Sequence, residues 1–364
     1  MEIKKIKRSV ILGTGTAMMM TTVLLCSLTA QVRNGEEPQD SYTNPLGDSL
    51  IIADPSVLFH DGTYYLYGTS VPDGFLCWTS DNLRDWKPQG YAYKKSEDSW
   101  GTGSFWAPEV ISYRERFYMV FSCKGGDPGH EGLRICLAVS ESPVGPFKDL
   151  FAPLFDNQTS CIDGHIFMDE TGIPYLYYEM AGVVGEPWNG AGYLWGMIFG
   201  IQLEEDLSVP EYGEHKLCLY VDKEWEGAGS MHARSCEGMT VFRNHGTYYM
   251  TYSCNHYADP DYGIGYATAD APLGMWTKSQ RNPILSRDPA LGVSGPGHNC
   301  IVKSPDGSET FIVYHSHADP ENPSGRRVLN MDRLLFEKNG ALKVLGPTRT
   351  PQPMPSGSLP ERPQ

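Results

Sequence analysis

A chain of 364 residues, 40% apolar and 12% aromatic, is long enough to bury a substantial core and needs no more than one domain to do so. Its formal net charge of −15 gives it no electrostatic reason to bind nucleic acid and suits a neutral partner. The 39 glycines and 27 prolines are scattered between short aromatic runs, a composition of many tight turns between many short strands that points to an all-β fold.

At the N-terminus, Lys4, Lys5, Lys7 and Arg8 precede an apolar stretch from about Val10 to Leu28 that closes on Ser27-Leu28-Thr29-Ala30. This is the layout of a secretory signal peptide over residues 1–30, with cleavage expected near Ala30. Lipid attachment at Cys26 and an uncleaved anchor are the alternatives. An exported protein is therefore expected, whether periplasmic, secreted or held at the surface by a lipid. No other stretch approaches the roughly 20 apolar residues that cross a bilayer, so no spanning segment is expected in the mature chain. Residues 31–44 read as a linker. The cysteines beyond Cys26 have no metal-like spacing; they read as small buried hydrophobes, with one or two disulfides left open.

From residue 45 to 346 one unit repeats. A turn followed by an aromatic-rich strand recurs as Asp61-Gly-Thr-Tyr-Tyr, Arg114-Glu-Arg-Phe-Tyr, Glu170-Thr-Gly-Ile-Pro-Tyr, His245-Gly-Thr-Tyr-Tyr and Asp306-Gly-Ser-Glu-Thr-Phe. The markers Tyr64, Phe117, Tyr175, Tyr248 and Phe311 stand 53, 58, 73 and 63 residues apart. After most of them come a third strand and a polar turn that closes on Trp86, Phe147 or Trp276. Five such four-stranded units read as a single-domain five-bladed β-propeller, with an ordinary sandwich as the alternative. The Pro-rich residues 347–364 read as a disordered tail.

In a propeller the first strand of each blade lines the axis. At similar distances before the five markers lie Asp54, Glu109, Asp163, Glu237 and His298, so these residues are expected to converge at one mouth of the ring. Paired carboxylates in unlike environments can do acid/base work on an acetal, one protonating the departing oxygen and the other activating water. Asp54, fixed by Pro55, fits the base; Glu237, beside Gly238 and Met239, fits the acid; Asp163 fits a third carboxylate that orients the acid and raises its pKa. Trp106 is the best platform for a sugar face, with Phe105 next, and Glu109, His298 and Arg327 are candidate substrate contacts. Arg327 could instead pair with an acid. Trp188 and Trp195 divide between a rim over the pocket and simple packing. His315 and His317 share one strand face and either join the polar axis or pack there.

The motifs Ala53-Asp54-Pro55-Ser56, Trp106-Ala107-Pro108-Glu109-Val110, Ile162-Asp163-Gly164, Glu237-Gly238-Met239 and Gly297-His298-Asn299 resemble, in this order, those of glycoside hydrolase family 43. The likeness spans roughly residues 45–345. It implies a five-bladed propeller that inverts the anomeric centre of arabinose- or xylose-containing plant polysaccharides, with Asp54 as base, Asp163 as pKa modulator and Glu237 as acid. It also implies no required cofactor, although a calcium or sodium ion near His298 is a possibility in such a fold. Among activities, α-L-arabinofuranosidase is favoured modestly, because no further sandwich follows the fifth unit. β-Xylosidase, endo-arabinanase, exo-β-galactanase and a non-catalytic carbohydrate-binding propeller are the alternatives.

Overall fold

The computed structural model of the chain describes residues 41–47, 50–126, 132–184, 193–227 and 233–358. The segment read as a leader and Trp188 lie outside them. The short strand β1 (Ser41–Tyr42) is followed by twenty strands that group into five antiparallel meanders of four. The first meander holds β2 (Ala53–His60), β3 (Thr63–Thr69), β4 (Gly74–Ser80) and β5 (Lys87–Lys94). The second holds β6 (Gly101–Tyr113), β7 (Arg116–Gly125), β8 (Leu133–Ser140) and β9 (Lys148–Phe151). The third holds β10 (Ser160–Met168), β11 (Pro174–Val184), β12 (Tyr193–Gln202) and β13 (Lys216–Leu219). The fourth holds β14 (Ala233–Asn244), β15 (Thr247–Cys254), β16 (Gly263–Ala269) and β17 (Thr277–Lys278), and a short parallel contact between β12 and β14 joins it to the third. The fifth holds β18 (Gly297–Lys303), β19 (Thr310–His317), β20 (Arg327–Phe336) and β21 (Leu342–Val344); β22 (Gln352–Pro353) follows.

The repeated turn has a plain cause. Asp61-Gly62 and His245-Gly246 place both central residues at positive φ, 47° and 77° in one and 47° and 89° in the other, as a two-residue hairpin between right-twisted strands requires. Arg114-Glu115 does the same at 48° and 63° without a glycine. The aromatic marker after each turn is buried and faces a neighbouring meander. Five apolar clusters result, each shared by two meanders: first with second around Phe75 and Phe121, second with third around Ile135 and Leu176, third with fourth around Tyr177 and Met250, fourth with fifth around Tyr266 and Ile312, and fifth with first around Val313 and Leu66. The first strands pack in the same cyclic order, β2 on β6, β6 on β10, β10 on β14, β14 on β18 and β18 back on β2. The meanders thus close a ring, as the sequence reading expects of a propeller.

The ring is closed by the end of the segment read as linker, the residues just before β2 and the segment read as tail. Before β2, the chain bonds to β20 through Leu46 N to Leu329 O at 2.8 Å and Ile52 N to Arg327 O at 3.0 Å. The buried Asn44 side chain donates to Met331 O at 2.8 Å and accepts Met331 N–H at 2.9 Å. Past residue 346, Thr348 donates to Asp332 at 2.6 Å, Arg349 to Asn330 at 2.8 Å, and β22 pairs with β1. The Pro-rich stretch is therefore not a disordered tail through residue 358: its polar side chains satisfy buried groups of the last meander, which low hydrophobicity in the sequence does not reveal. Every cysteine among the described residues is a free thiol.

Candidate active site

Each first strand is interrupted by a register shift, β6 three times, and at one shift in each a residue takes the left-handed conformation: Asp54 (φ 51°), Ala107 (45°), Asp163 (56°), Gly238 (55°) and His298 (43°). Such a residue costs on the order of 1–2 kcal/mol unless its surroundings hold it. Here a buried or half-buried side-chain acceptor takes each backbone N–H. Asp54 donates to His315 Nδ1 (3.1 Å), Ala107 to Thr69 Oγ1 (2.9 Å), Asp163 to Ser122 Oγ (3.0 Å), Gly238 to Asp163 Oδ2 (3.0 Å) and His298 to Ser253 Oγ (2.8 Å). The bulges re-aim side chains, as bulges beside a site do.

This corrects the repeat alignment. The equivalents of Asp54, Asp163 and His298 are Ala107 and Gly238, whereas Glu109 lies two residues past its bulge and Glu237 one before. Glu109 consequently misses the cavity described below and spends its Oε2 on His165 Nδ1 at 2.7 Å. Glu237 still enters, because Gly238 both adopts positive φ and leaves room where a Cβ would stand 2.9 Å from the His298 ring.

Asp54, Asp163, Glu237, His298 and Arg327 line one cavity of about 430 Å³ together with Trp106, Trp195, Glu179, His256 and Tyr257. That is room enough for a sugar. Asp54 is 8% exposed; its Oδ1 accepts from Arg327 Nη1 at 2.8 Å and its Oδ2 from Thr69 Oγ1 at 2.6 Å. Burial alone would raise its pKa, but Arg327, His298, His315 and the Thr69 hydroxyl outweigh burial and hold it well below the usual carboxylate range. Glu237 lies at the opposite extreme. Burial pushes it up to about 7, the Asp54 charge adds to this, and the Tyr262 hydroxyl, donating to Oε1 at 2.7 Å, opposes it. Asp163 is raised by burial and by the neighbouring Glu237 and Asp54 charges. His298 Nδ1 stands between the two aspartates, 3.5 Å from Asp54 and 3.6 Å from Asp163.

The remaining candidates divide clearly. Trp106 is 39% exposed on the cavity wall, whereas Phe105 is 2% exposed and wedged among Phe75, Tyr93 and Phe121, so its ring faces cannot receive a sugar. Arg327 pairs with Asp54 and lies over the Tyr257 ring, 5.0 Å from its centroid. His315 belongs to the axis through Asp54, while His317 is spent on Ser294 Oγ and Tyr257 O. Trp195 lines the cavity. Tyr262, Glu179, Thr69 and Tyr257 escaped the sequence reading because they sit on second strands or loops with no motif around them; pairing with the first strands brings Thr69 and Glu179 here, and the loop after β15 brings Tyr257 and Tyr262. Among the described residues no cluster of three His, Cys, Asp or Glu donors includes His298. A hard cation beside it would draw most ligands from backbone oxygens and water, so His298 alone is a poor cage.

A ring of β-meanders whose sugar-sized cavity is lined by one carboxyl of lowered pKa and one of raised pKa has what acid/base cleavage of a glycosidic bond requires. The sequence matches the family model of glycosyl hydrolases family 43 over residues 42–342, and the chain belongs to that family of glycoside hydrolases. It is 26% identical to a beta-D-galactofuranosidase of Aspergillus niger over 80% of this chain and 81% of that protein, and 25% identical to alpha-L-arabinofuranosidase 43 of Humicola insolens over 95% and 69%. Among solved structures it superposes on a thermostable family-43 glycoside hydrolase with a TM-score of 0.81 at 46% identity, covering 87% of this chain and 99% of that one. An endo-1,4-beta-xylanase of Bacteroides thetaiotaomicron gives 0.70 at 32% identity, over 84% and 98%.

Proposed function

We propose that the protein is an exported, inverting α-L-arabinofuranosidase acting on arabinose-containing plant polysaccharides or their fragments. What carries this reading is two carboxyls lining one cavity with pKa values driven apart: Asp54 held well below the usual carboxylate range by Arg327, and Glu237 pushed by burial up to about 7. In this mechanism Asp54 removes a proton from a water molecule as the water attacks the anomeric carbon. Glu237 gives its proton to the departing oxygen on the other face of the ring. Asp163, tied to Gly238 N–H, fixes the backbone next to Glu237 and stands where the family resemblance places the pKa modulator. Arg327 and Thr69 aim Asp54, and Trp106 offers its exposed face to the sugar. A calcium or sodium ion beside His298 would steady the axis, and no step depends on it.

The preference for a furanoside rests on relatives named alpha-L-arabinofuranosidase and beta-D-galactofuranosidase, whose sugars share the five-membered ring. β-D-Galactofuranose is therefore the second reading, and xylosides, arabinan backbones and β-galactans are the controls. A panel of nitrophenyl arabinofuranoside, galactofuranoside, xyloside and galactopyranoside, with branched arabinan, ranks them. Proton NMR of the first-formed sugar reads the stereochemistry, and release of the retained anomer rejects the mechanism. Asp54→Asn and Glu237→Ala should each lower turnover by at least about 10²-fold. A loss of only a few-fold in either would remove that residue from its role.

A further inference from the structure

The residue that precedes each bulge is paired, across the hairpin, with one residue of the second strand. These partners are Thr69, Ser122, Glu179, Ser253 and His315. In four of the five meanders that side chain accepts the bulge N–H of the following meander: Thr69 from Ala107, Ser122 from Asp163, Ser253 from His298 and His315 from Asp54. Glu179 alone does not. Asp163 Oδ2 takes the Gly238 N–H in its place. The Glu179 carboxyl is thereby released from the duty its position has elsewhere.

It is not released to solvent. Glu179 is 1% exposed and lines the active-site cavity, with Oε1 accepting the Ser235 hydroxyl and Oε2 buried without a hydrogen-bond partner. Its carboxyl oxygens, those of Glu237 and those of Asp163 include one from each lying within 4.8 Å of the others. Strand β12 makes room for this placement: a Cβ on Gly196 would fall 1.6 Å from Glu179 Oε1. An unpartnered acceptor in an apolar wall costs about 1–3 kcal/mol, and a carboxylate costs more, so this oxygen needs a proton or a donor.

Resting on the reading of Glu237 as proton donor, we propose that Glu179 is a positioning residue that shares one proton with Glu237, so that the two carboxyls titrate as a pair. Each has one neutral hydroxyl on its Oε1, Ser235 for Glu179 and Tyr262 for Glu237. The charged and titratable groups around the pair are Asp163 and Cys161 from β10, Cys236 from β14, Tyr262, and Asp54 and Arg327 acting on Glu237, which a hydrogen bond from Glu179 also lowers. Burial and the Glu237 charge drive Glu179 well above the ordinary carboxyl range, in keeping with a proton held there. While both carboxyls are protonated the Glu179 hydrogen bond lowers Glu237; once one charge is on the pair, the remaining shared proton leaves only at a higher pH than it would leave a lone Glu237. During cleavage that proton departs with the leaving oxygen, the attacking water supplies one to Asp54, and return of the Asp54 proton through solvent reloads the pair.

The test is the pH profile of kcat/KM on nitrophenyl arabinofuranoside for the wild type and Glu179→Gln, an isostere that removes only the titration. The pair predicts a basic limb displaced downward by about one pH unit or more, with kcat rather than KM carrying the change above neutrality. A limb within about 0.2 unit of wild type makes Glu179 a packing residue and overturns the proposal. Should Glu179→Gln not fold, infrared difference spectra of the wild type decide: a protonated-carboxyl band persisting above pH 7 supports the pair, and its absence overturns it. Glu237→Gln separates the two levels of argument. If that variant still cleaves an unactivated arabino-oligosaccharide, the functional reading itself fails; if it does not, and Glu179→Gln leaves the limb in place, only the proton-sharing fails.

Discussion

Asp54 and Glu237 are carboxyls of one cavity driven in opposite directions, Glu237 upward by burial and Asp54 downward by Arg327 and its other partners against burial, and the sign of each shift sets a measurable limb. Asp54 is below the usual range, so activity should persist well into acid. Glu237 must be protonated to act and titrates at about 7, so kcat/KM should fall above neutrality. Tyr262 opposes the rise by donating to Glu237 Oε1. Tyr262→Phe removes that donor, and the basic limb should move to higher pH in the same assay; a move downward would contradict the geometry. The same shift has a stability consequence. For a carboxyl whose folded pKa is raised, from an ordinary 4.5 to about 7, the folded state binds the extra proton and stability is lost as pH rises between those values. Glu237→Gln escapes that loss. It should equal the wild type near pH 4.5 and exceed it above pH 7 by up to on the order of 3 kcal/mol, read by denaturant titration at both pH values.

At the level of the strand, the site is built by one device used five times. A bulge residue at positive φ, anchored by the preceding meander, turns side chains of the first strand into the mouth. Gly238 is the bulge that must be glycine, since it combines φ 55° with a close approach to His298. Gly238→Ala should therefore cost about 1–2 kcal/mol from the backbone alone, lower Tm by several degrees, and reduce turnover through the displaced Glu237. Ala107→Gly at the equivalent place, where φ is 45°, should be neutral or stabilising, and scanning calorimetry of the two variants checks the contrast. The hairpin turns were legible in the sequence because Asp61-Gly62 and His245-Gly246 carry their own conformational signature. The bulges were not, because Asp, Ala, Gly and His share no side-chain property; only the buried or half-buried acceptor opposite each one makes it left-handed. That is why counting back from the aromatic markers reached Asp54, Asp163 and His298 correctly yet substituted Glu109 for Ala107 and missed Glu179.

Over the whole ring, stability depends on closing the fifth meander onto the first. Residues 41–47, 50–52 and 346–354 do this with side chains and edge hydrogen bonds, Asn44 at their centre. Asn44→Ala would strand both the N–H and the C=O of Met331 in a buried site, at about 2 kcal/mol or more, and thermal unfolding should show a fall of several degrees with the pH profile of activity intact. An unchanged Tm would mean that closure rests on the apolar cluster around Leu66 and Val313 alone.

The sequence by itself determined the period, the all-β class, the aromatic cores between units, and the identity of three carboxylates and a histidine at the axis, because turn chemistry and hydrophobic alternation are local properties. The tertiary structure decided which acid faces which. Protonation of Glu237, ionisation of Asp54, retirement of Glu109 onto His165, burial of Phe105 and the freeing of Glu179 all depend on the field and hydrogen bonds of neighbouring meanders. Those neighbours are tens to hundreds of residues away along the chain, and only ring closure brings them within a few ångströms.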